Sequence, residues 1–215
     1  MTDGVQWLTN TRTSYDAVAA AYASRLRDSM TERPYMRGMV TLFADLVRAA
    51  GDGPVVDVGC GPGHVTRFLH DLGLDAFGID LSPGMIEVAR DDHPGIRFEV
   101  GSMTDLRLPG ASVTGLLAWW SLIHVPDDEV PVALAHFHRV VRPGGVVMAG
   151  FHSGNGTTHK TNGYGGHAMD VHIHRRPPAR MAAWLSQAGF TVEAITTLDP
   201  TARVPGAVLI ARQST

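Results

Sequence analysis

A chain of 215 residues, 44% apolar and 18% charged, is long enough to bury one sizeable core and short for two, so residues 1–215 are expected to form a single domain. A formal charge of −3 gives no electrostatic footprint for nucleic acid or an anionic membrane. The single cysteine, Cys60, excludes an internal disulfide framework, and with no apolar signal core near Met1 and no run of membrane-spanning length a cytoplasmic location is expected.

Residues 11–27 favour helix, with Tyr15, Val18 and Tyr22 at helical spacing. Residues 35–49 read as a second helix with Met36, Met39, Val40, Phe43, Leu46 and Val47 on one face. Val55–Val58 is then an apolar, β-branched run that carries Asp57 and passes into Gly59-Cys60-Gly61-Pro62-Gly63. His64 and Val65 open a helical pattern, so this is a buried parallel strand, a tight turn and a helix start. Glycines at alternate positions leave the backbone bare, and the helix N-terminus offers free N–H groups; the turn is expected to bind a ligand. The dinucleotide fingerprint needs a third glycine or alanine where His64 or Thr66 stands, and the lysine-bearing phosphate loop is absent.

Ala76–Asp80 reads as the second strand, placing Asp80 about 20 residues after Asp57, where a terminal acid can accept from two ribose hydroxyls. Ser82-Pro83 supplies an N-cap and a first-turn proline for the helix that includes Met85. A third strand is expected over 96–100, followed by Ser102 and Met103, and a fourth over 113–119. The fourth strand runs into Trp119-Trp120-Ser121-Leu122-Ile123-His124, at the sheet edge where ligands collect in open α/β folds. A helix over 128–141 ends at Arg142-Pro143-Gly144-Gly145, which turns into a fifth strand over 146–151.

Residues 152–176 are glycine-rich and aperiodic and read as a long loop, an insertion or lid at the substrate side. Within it Val171–Arg176 alternates, so His172 and His174 face one side. The histidines lack an acidic or cysteine partner at ligand spacing, so no metal is expected. A helix over 179–188, capped by Gly189, and strands over 190–198 and 207–212 complete the chain.

Asp57-Val58-Gly59-Cys60-Gly61-Pro62-Gly63 and Asp80-Leu81-Ser82-Pro83-Gly84-Met85 resemble the cofactor motifs of class I S-adenosylmethionine-dependent methyltransferases, in the small single-domain type 11 (ubiquinone/menaquinone-methyltransferase-like) group. The segment from Tyr15 to Tyr22, the run Arg139–Gly145 and Leu185–Phe190 extend the likeness over nearly the whole chain. The resemblance implies a three-layer α/β sandwich with a Rossmann-like, mainly parallel seven-stranded sheet in the order 3-2-1-4-5-7-6, strand 7 antiparallel. It implies S-adenosylmethionine as cofactor, with residues 11–49 as a helical cap over it. Asp57, Gly59, Cys60, Gly61, Gly63 and His64 would hold the methionyl part, Asp80 the ribose, and Leu81 with Met103 the adenine. Tyr15, Tyr22, Ser82, Met85, Ser102 and Trp119 complete that wall. Two departures stand out: Ser102 replaces the usual acid, and Thr114-Gly115 occupy the place of an early strand-four Asp.

The expected reaction is in-line methyl transfer to an O, N or C nucleophile of a small molecule, by a monomer or homodimer. His124 is the candidate base, and Trp120, His152, His167, His172 and His174 are candidate substrate-pocket residues. No Asn/Asp-Pro-Pro-Tyr/Phe loop follows strand four, and the only cysteine sits in the cofactor loop, which argues against adenine-N6 and cytosine-C5 chemistry. A methyltransferase acting on tRNA or protein, or a non-catalytic cofactor-binding module, are the alternatives.

Overall fold

The computed structural model describes residues 3–214. Helices α1 (Asp3–Leu26), α2 (Ser29–Glu32) and α3 (Pro34–Ala50) precede strand β1 (Val55–Val58). Then come α4 (His64–Asp71), β2 (Ala76–Asp80), α5 (Pro83–Asp92), β3 (Phe98–Val100), β4 (Val113–Trp119), α6 (Val130–Val140) and β5 (Val141–His152). The chain closes with β6 (Thr157–Asn162), β7 (Ala168–His174), α7 (Pro178–Gln187), β8 (Phe190–Leu198) and β9 (Gly206–Gln213). No described helix is long and apolar enough to cross a membrane.

Seven strands form one sheet in the order β3-β2-β1-β4-β5-β9-β8, parallel except that β9 runs antiparallel to β5 and β8. Counted within the sheet, β8 and β9 are its sixth and seventh strands, so the expected order and antiparallel strand hold. Central β4 is buried at every residue, as a parallel strand covered on both faces must be. Alternate residues feed two cores: Val56, Val58, Leu116 and Ala118 meet α6 and α7, while Val55, Leu117 and Trp119 meet α3 and α4.

The Thr114-Gly115 departure has a packing cause. A Cβ at Gly115 would lie 2.6 Å from Val47 Cγ2 and 3.1 Å from Phe43 Cζ, so the missing side chain lets α3 settle on the sheet. Thr114 Oγ1 donates to Asp52 O at 3.1 Å and ties down the turn before β1. Helix α3 is thus a core layer through Val40, Phe43, Ala44 and Val47, which corrects the expectation that all of 11–49 caps the site.

Two boundaries differ from expectation. Helix α6 passes straight into β5 at Val141, so Arg142-Pro143-Gly144-Gly145 lies inside the strand, where the pairing with β4 is irregular. Residues 152–176 are not an irregular loop. They form the antiparallel hairpin β6–β7, in register at His159–His172 and Thr157–His174. The alternating β7 places Met169 and Val171 on Val18, Ala19 and Met85, and burial of that inner face stabilises a hairpin whose other strand, β6, carries no apolar period.

Candidate active site

The glycine turn is pinned to the neighbouring strand: Gly59 N and Cys60 N both donate to Ile79 O, at 2.7 and 3.1 Å. Gly59, Gly61 and Gly63 have φ of 75, 55 and 82°, the left-handed region that favours glycine. Their surroundings differ. A Cβ at Gly59 would lie 2.2 Å from Ser121 Cβ and one at Gly63 2.7 Å from Phe98 Cζ, whereas at Gly61 the nearest atom is Tyr22 Cε1 at 3.7 Å. Only Gly61 therefore presents bare backbone across open space, and Gly63, expected at the cofactor, lies outside the cavity wall. The Cys60 thiol points into a core with Ile86, Ala89 and Phe98, and burial raises its pKa well above the ordinary value.

Above the turn lies a cavity of about 820 Å³ including its mouth, a size suited to a cofactor. Two carboxylates line it. Asp57 is 1% exposed; its Oδ2 accepts from Thr66 Oγ1 at 2.8 Å, while its buried Oδ1 has no partner among the described residues. Burial raises the Asp57 pKa to about 7. An orphaned buried acceptor of this kind calls for a donor or cation from a ligand. Asp80 ends β2, its Oδ2 accepting from Gly61 N at 2.8 Å and its Oδ1 from Ser82 N at 2.9 Å. Burial also raises the pKa of Asp80, against those two bonds, and each oxygen keeps acceptor capacity for a further donor.

The cavity is roofed by α1. Tyr15 and Tyr22 line it as expected, and so do Trp7, Leu8 and Thr11, which lie in the helix turns ahead of the recognisable motif. Two latches hold the roof. Asp16 Oδ1 accepts from Ser82 Oγ at 2.5 Å and from Gly84 N at 2.9 Å, at the N-terminus of α5. On the hairpin side, Asp170 N donates to Ser14 Oγ at 2.8 Å and Asn10 Nδ2 to Asp170 Oδ2 at 2.7 Å. Ser82, expected at the cofactor, instead caps α5 through Met85 N at 3.0 Å and binds the roof; it does not line the cavity. Leu81, Met85, Ser102 and Met103 do. The Ser102 hydroxyl is engaged with Thr104, closing the turn after β3.

A second cavity, about 1710 Å³ with its mouth, opens beyond the first and shares Tyr15, Tyr22, His64, Trp119, Trp120 and His124 with it. These six residues form an aromatic neck. Trp119 and Trp120 meet edge to face with centroids 4.8 Å apart. Trp120 has φ 53°, a strained conformation for an aromatic residue of the kind found at functional sites. The Trp120 indole N–H donates to His152 Nδ1 at 3.3 Å, which leaves the ring proton of neutral His152 on Nε2.

His124 sits at the neck with both nitrogens engaged. His172 O is 2.9 Å from Nδ1 and the Tyr15 hydroxyl 2.7 Å from Nε2. A carbonyl only accepts, so Nδ1 carries the proton and Tyr15 donates to Nε2. Burial lowers the His124 pKa to about 4, with Lys160 a lesser cause, and burial likewise lowers His64 to about 4. Arg176, 1% exposed, clamps the turn that carries His124. Its guanidinium donates to Leu122 O at 2.8 Å, to Val125 O and to Asp127 Oδ1 at 2.8 Å.

Of the expected substrate-pocket residues, Trp120 and His152 line the second cavity; His167, His172 and His174 do not. His172 and His174 share a face of β7, as the alternation requires, but it is the outer one. There His172 stacks on His159, whose Nε2 pairs with Asp170 at 2.7 Å. Among the described residues no cluster of three His, Cys, Asp or Glu could hold a metal. The second wall also carries Arg25, Arg33, Lys160 and Tyr164, which no motif marks.

Known proteins resemble this chain in sequence and in fold. A methyltransferase-domain family model matches residues 55–145. Malonyl-[acyl-carrier protein] O-methyltransferase of Serratia marcescens is 34% identical over 94 residues, 44% of this chain and 36% of that protein. Demethylmenaquinone methyltransferase of Renibacterium salmoninarum is 35% identical over 111 residues, 51% of this chain and 46% of that one. The chain thus spans half or less of the length of these curated relatives. Among solved structures, 1,6-didemethyltoxoflavin-N1-methyltransferase of Burkholderia thailandensis, with bound 1,6-didemethyltoxoflavin and S-adenosylhomocysteine, superposes with TM-score 0.74 at 22% identity, covering 100% of this chain and 92% of that one. The DhpI–SAH complex gives TM-score 0.75 at 21% identity, covering 100% and 99%. At these identities the structures establish a shared fold.

Proposed function

We infer that the chain is a class I S-adenosylmethionine-dependent methyltransferase and that it transfers a methyl group to a nucleophile of a small molecule, a reading supported by the methyltransferase-domain match over residues 55–145 and by the shared fold. The observation that carries this reading is the unpaired, buried Oδ1 of Asp57 beside the open backbone of Gly61. A ligand bearing an ammonium group would satisfy that oxygen and bring the Asp57 pKa down from about 7. Asp80, with both oxygens already fixed by amides, is pre-oriented to accept from a ribose diol. Leu81, Met85 and Met103 supply apolar surface for a purine.

S-adenosylmethionine, when bound, supplies an electrophilic methyl on a sulfonium centre. The chain contributes position and dryness. Trp119, Trp120, Tyr15 and Tyr22 enclose the neck between the cavities and exclude water from it. Their π faces favour a positive charge there. His124 is protonated on Nδ1, committed to Tyr15 through Nε2, and weakly basic, so it serves as a positioning residue for the Tyr15 hydroxyl rather than as the base. An acceptor nucleophile entering from the second cavity meets the neck in line with the first, and approximation supplies much of the rate.

Calorimetry with S-adenosylhomocysteine tests the cofactor site directly. Wild type should bind it and Asp57→Asn should bind it far more weakly. Release of S-adenosylhomocysteine from S-adenosylmethionine in the presence of small-molecule acceptors tests turnover; binding without release from any acceptor would favour the non-catalytic module. Fluorescence titration with tRNA over a salt series tests the nucleic-acid alternative, which predicts a steep salt slope.

A further inference from the structure

Resting on the assignment of the second cavity to the methyl acceptor, we propose that the acceptor is a flat aromatic acid whose carboxylate is held by Lys160 and Arg25. Three cations, Arg25, Arg33 and Lys160, line that cavity against one acid, Asp199, in a chain whose formal charge is −3. The Asp199 carboxylate takes a hydrogen bond from Thr201 Oγ1 at 3.3 Å. Among the described residues, none of the three cations has a carboxylate partner. Elsewhere Arg48, Arg67, Arg97, Arg107, Arg176, Arg180 and Arg212 pair with acids, and Arg37, Arg90, Arg139 and Arg142 donate to backbone carbonyls. The cavity wall gathers three cations that lack such an acid partner.

The three divide by position. Arg33 stands at the turn before α3, its Nη1 3.7 Å from Met36 Sδ. Lys160 acts on His124, at the neck, and its Nζ stands 4.1 Å from the Tyr164 ring centroid. The Arg25 guanidinium lies 6.0 Å from the same ring. Two like charges close to one ring repel each other, and a single ring offsets only about 1 kcal/mol of that. An anion arriving beside Tyr164 resolves the repulsion and gains charge-assisted hydrogen bonds. Neutral His152 adds an Nε2–H with no partner among the described residues. The remaining wall selects the body of the molecule. Trp119, Trp120, Tyr22 and Tyr164 present ring faces and edges at a slot that favours a planar partner over a branched one.

The test uses protein loaded with S-adenosylhomocysteine and follows tryptophan fluorescence. The ligands are a panel of two-ring aromatic carboxylates, each paired with its own primary amide, with 2-naphthoate and 2-naphthamide as the first pair. At least one acid should bind about tenfold more tightly than its amide, the size of one charge-assisted hydrogen bond, and should weaken as salt is raised. In Lys160→Gln, and further in Lys160→Gln/Arg25→Gln, that preference should disappear while affinity for S-adenosylhomocysteine stays at the wild-type value. A panel in which no acid outbinds its amide, or a preference that survives in the double variant, overturns the proposal. Failure of the methyltransferase reading shows separately, as absence of S-adenosylhomocysteine binding to the unloaded wild type by calorimetry.

Discussion

On the proposed cofactor side the floor, beneath the α1 roof, comes from short, consecutive stretches: Gly59 to Gly61 after β1, Asp80-Leu81 after β2, Ser102-Met103 after β3. On the proposed acceptor side the wall comes from α1, the turn before α3, the neck, the hairpin and the turn between β8 and β9, segments far apart in the chain. The first wall works largely through backbone groups and two carboxylates, Asp80 fixed by the Gly61 and Ser82 amides and Asp57 by the Thr66 hydroxyl. The second works through side chains whose places depend on packing between distant elements. Local geometry writes itself into sequence as motifs, and non-local geometry does not.

The largest test of that contrast is Arg176→Met. One buried guanidinium holds the turn 122–125, and its removal takes the side-chain donor from the Val125 carbonyl, leaves Leu122 O only its bond from Val125 N and strips Asp127 of a partner. We expect a loss of about 3–5 kcal/mol, or roughly 10 °C in Tm for a chain of this size, read by calorimetry. A shift under about 2 °C would show that the acceptor side does not hang on this clamp. Asp80→Ala probes the opposite wall. It removes the acceptor that orients Gly61 N and Ser82 N as well as the expected ribose contact, so S-adenosylhomocysteine affinity should fall about a hundredfold. Unchanged affinity with an intact circular-dichroism spectrum would sink the assignment of Asp80.

The same contrast explains what was legible. The order of the seven sheet strands and the positions of Asp57, Gly61 and Asp80 follow from motifs whose residues are neighbours in sequence. Gly63 reads as a ligand glycine because sequence shows a missing side chain and not what fills the gap; Phe98 fills it here, while Gly59 lines the cavity although Ser121 packs against its Cα. Ser82 was misplaced for a related reason, since an N-cap hydroxyl looks the same whether its second bond goes to a ligand or to Asp16. The alternation over Val171–Arg176 points to β7, but β6 is unreadable as a strand because it is Thr-Thr-His-Lys-Thr-Asn, polar on both faces and exposed at all but Lys160. The histidine-rich face of β7 drew attention by composition, yet His172 contributes its backbone carbonyl, a group that sequence does not distinguish from any other. Lys160 and Arg25 could be found only after α1 and the hairpin were seen together on Tyr164.

The two walls also carry opposed pH responses. His64 and His124 titrate at about 4 in the folded chain, below the ordinary value of 6.5, because burial disfavours their charge. The unfolded chain therefore binds more protons between those values, and this stability is present above about 6.5 and lost as pH falls toward 4. Asp57 runs the other way. Its folded value of about 7 exceeds 3.8, so its contribution is present below about 4 and lost as pH rises toward 7. Two histidines act against one aspartate, so the wild-type Tm should rise modestly between pH 5 and 6.5. Asp57→Asn should steepen that rise by the equivalent of about 2 kcal/mol, and a thermal-melt series measures it. The same slope in wild type and variant would mean that Asp57 does not titrate in this range.

Tyr15→Phe is the finest cut, because Tyr15 belongs to both walls. Its hydroxyl donates to His124 Nε2, and its ring meets Tyr22 edge to face at 5.8 Å and His124 at 5.2 Å. Phenylalanine keeps those ring contacts and deletes one hydrogen bond, leaving the His124 lone pair unpaired. Stability and S-adenosylhomocysteine affinity should each fall by about 1 kcal/mol, a few-fold in binding. The Tyr15 pKa is raised well above 10 by burial, so the phenol stays protonated throughout the working range. Its loss should lower kcat modestly and leave the shape of the kcat–pH profile between pH 6 and 9 unchanged, as befits a residue that shapes the neck. If the variant instead loses kcat by a factor of about a thousand and its profile loses an ionisation, Tyr15 and His124 form a proton path, and the neck is chemical machinery rather than enclosure.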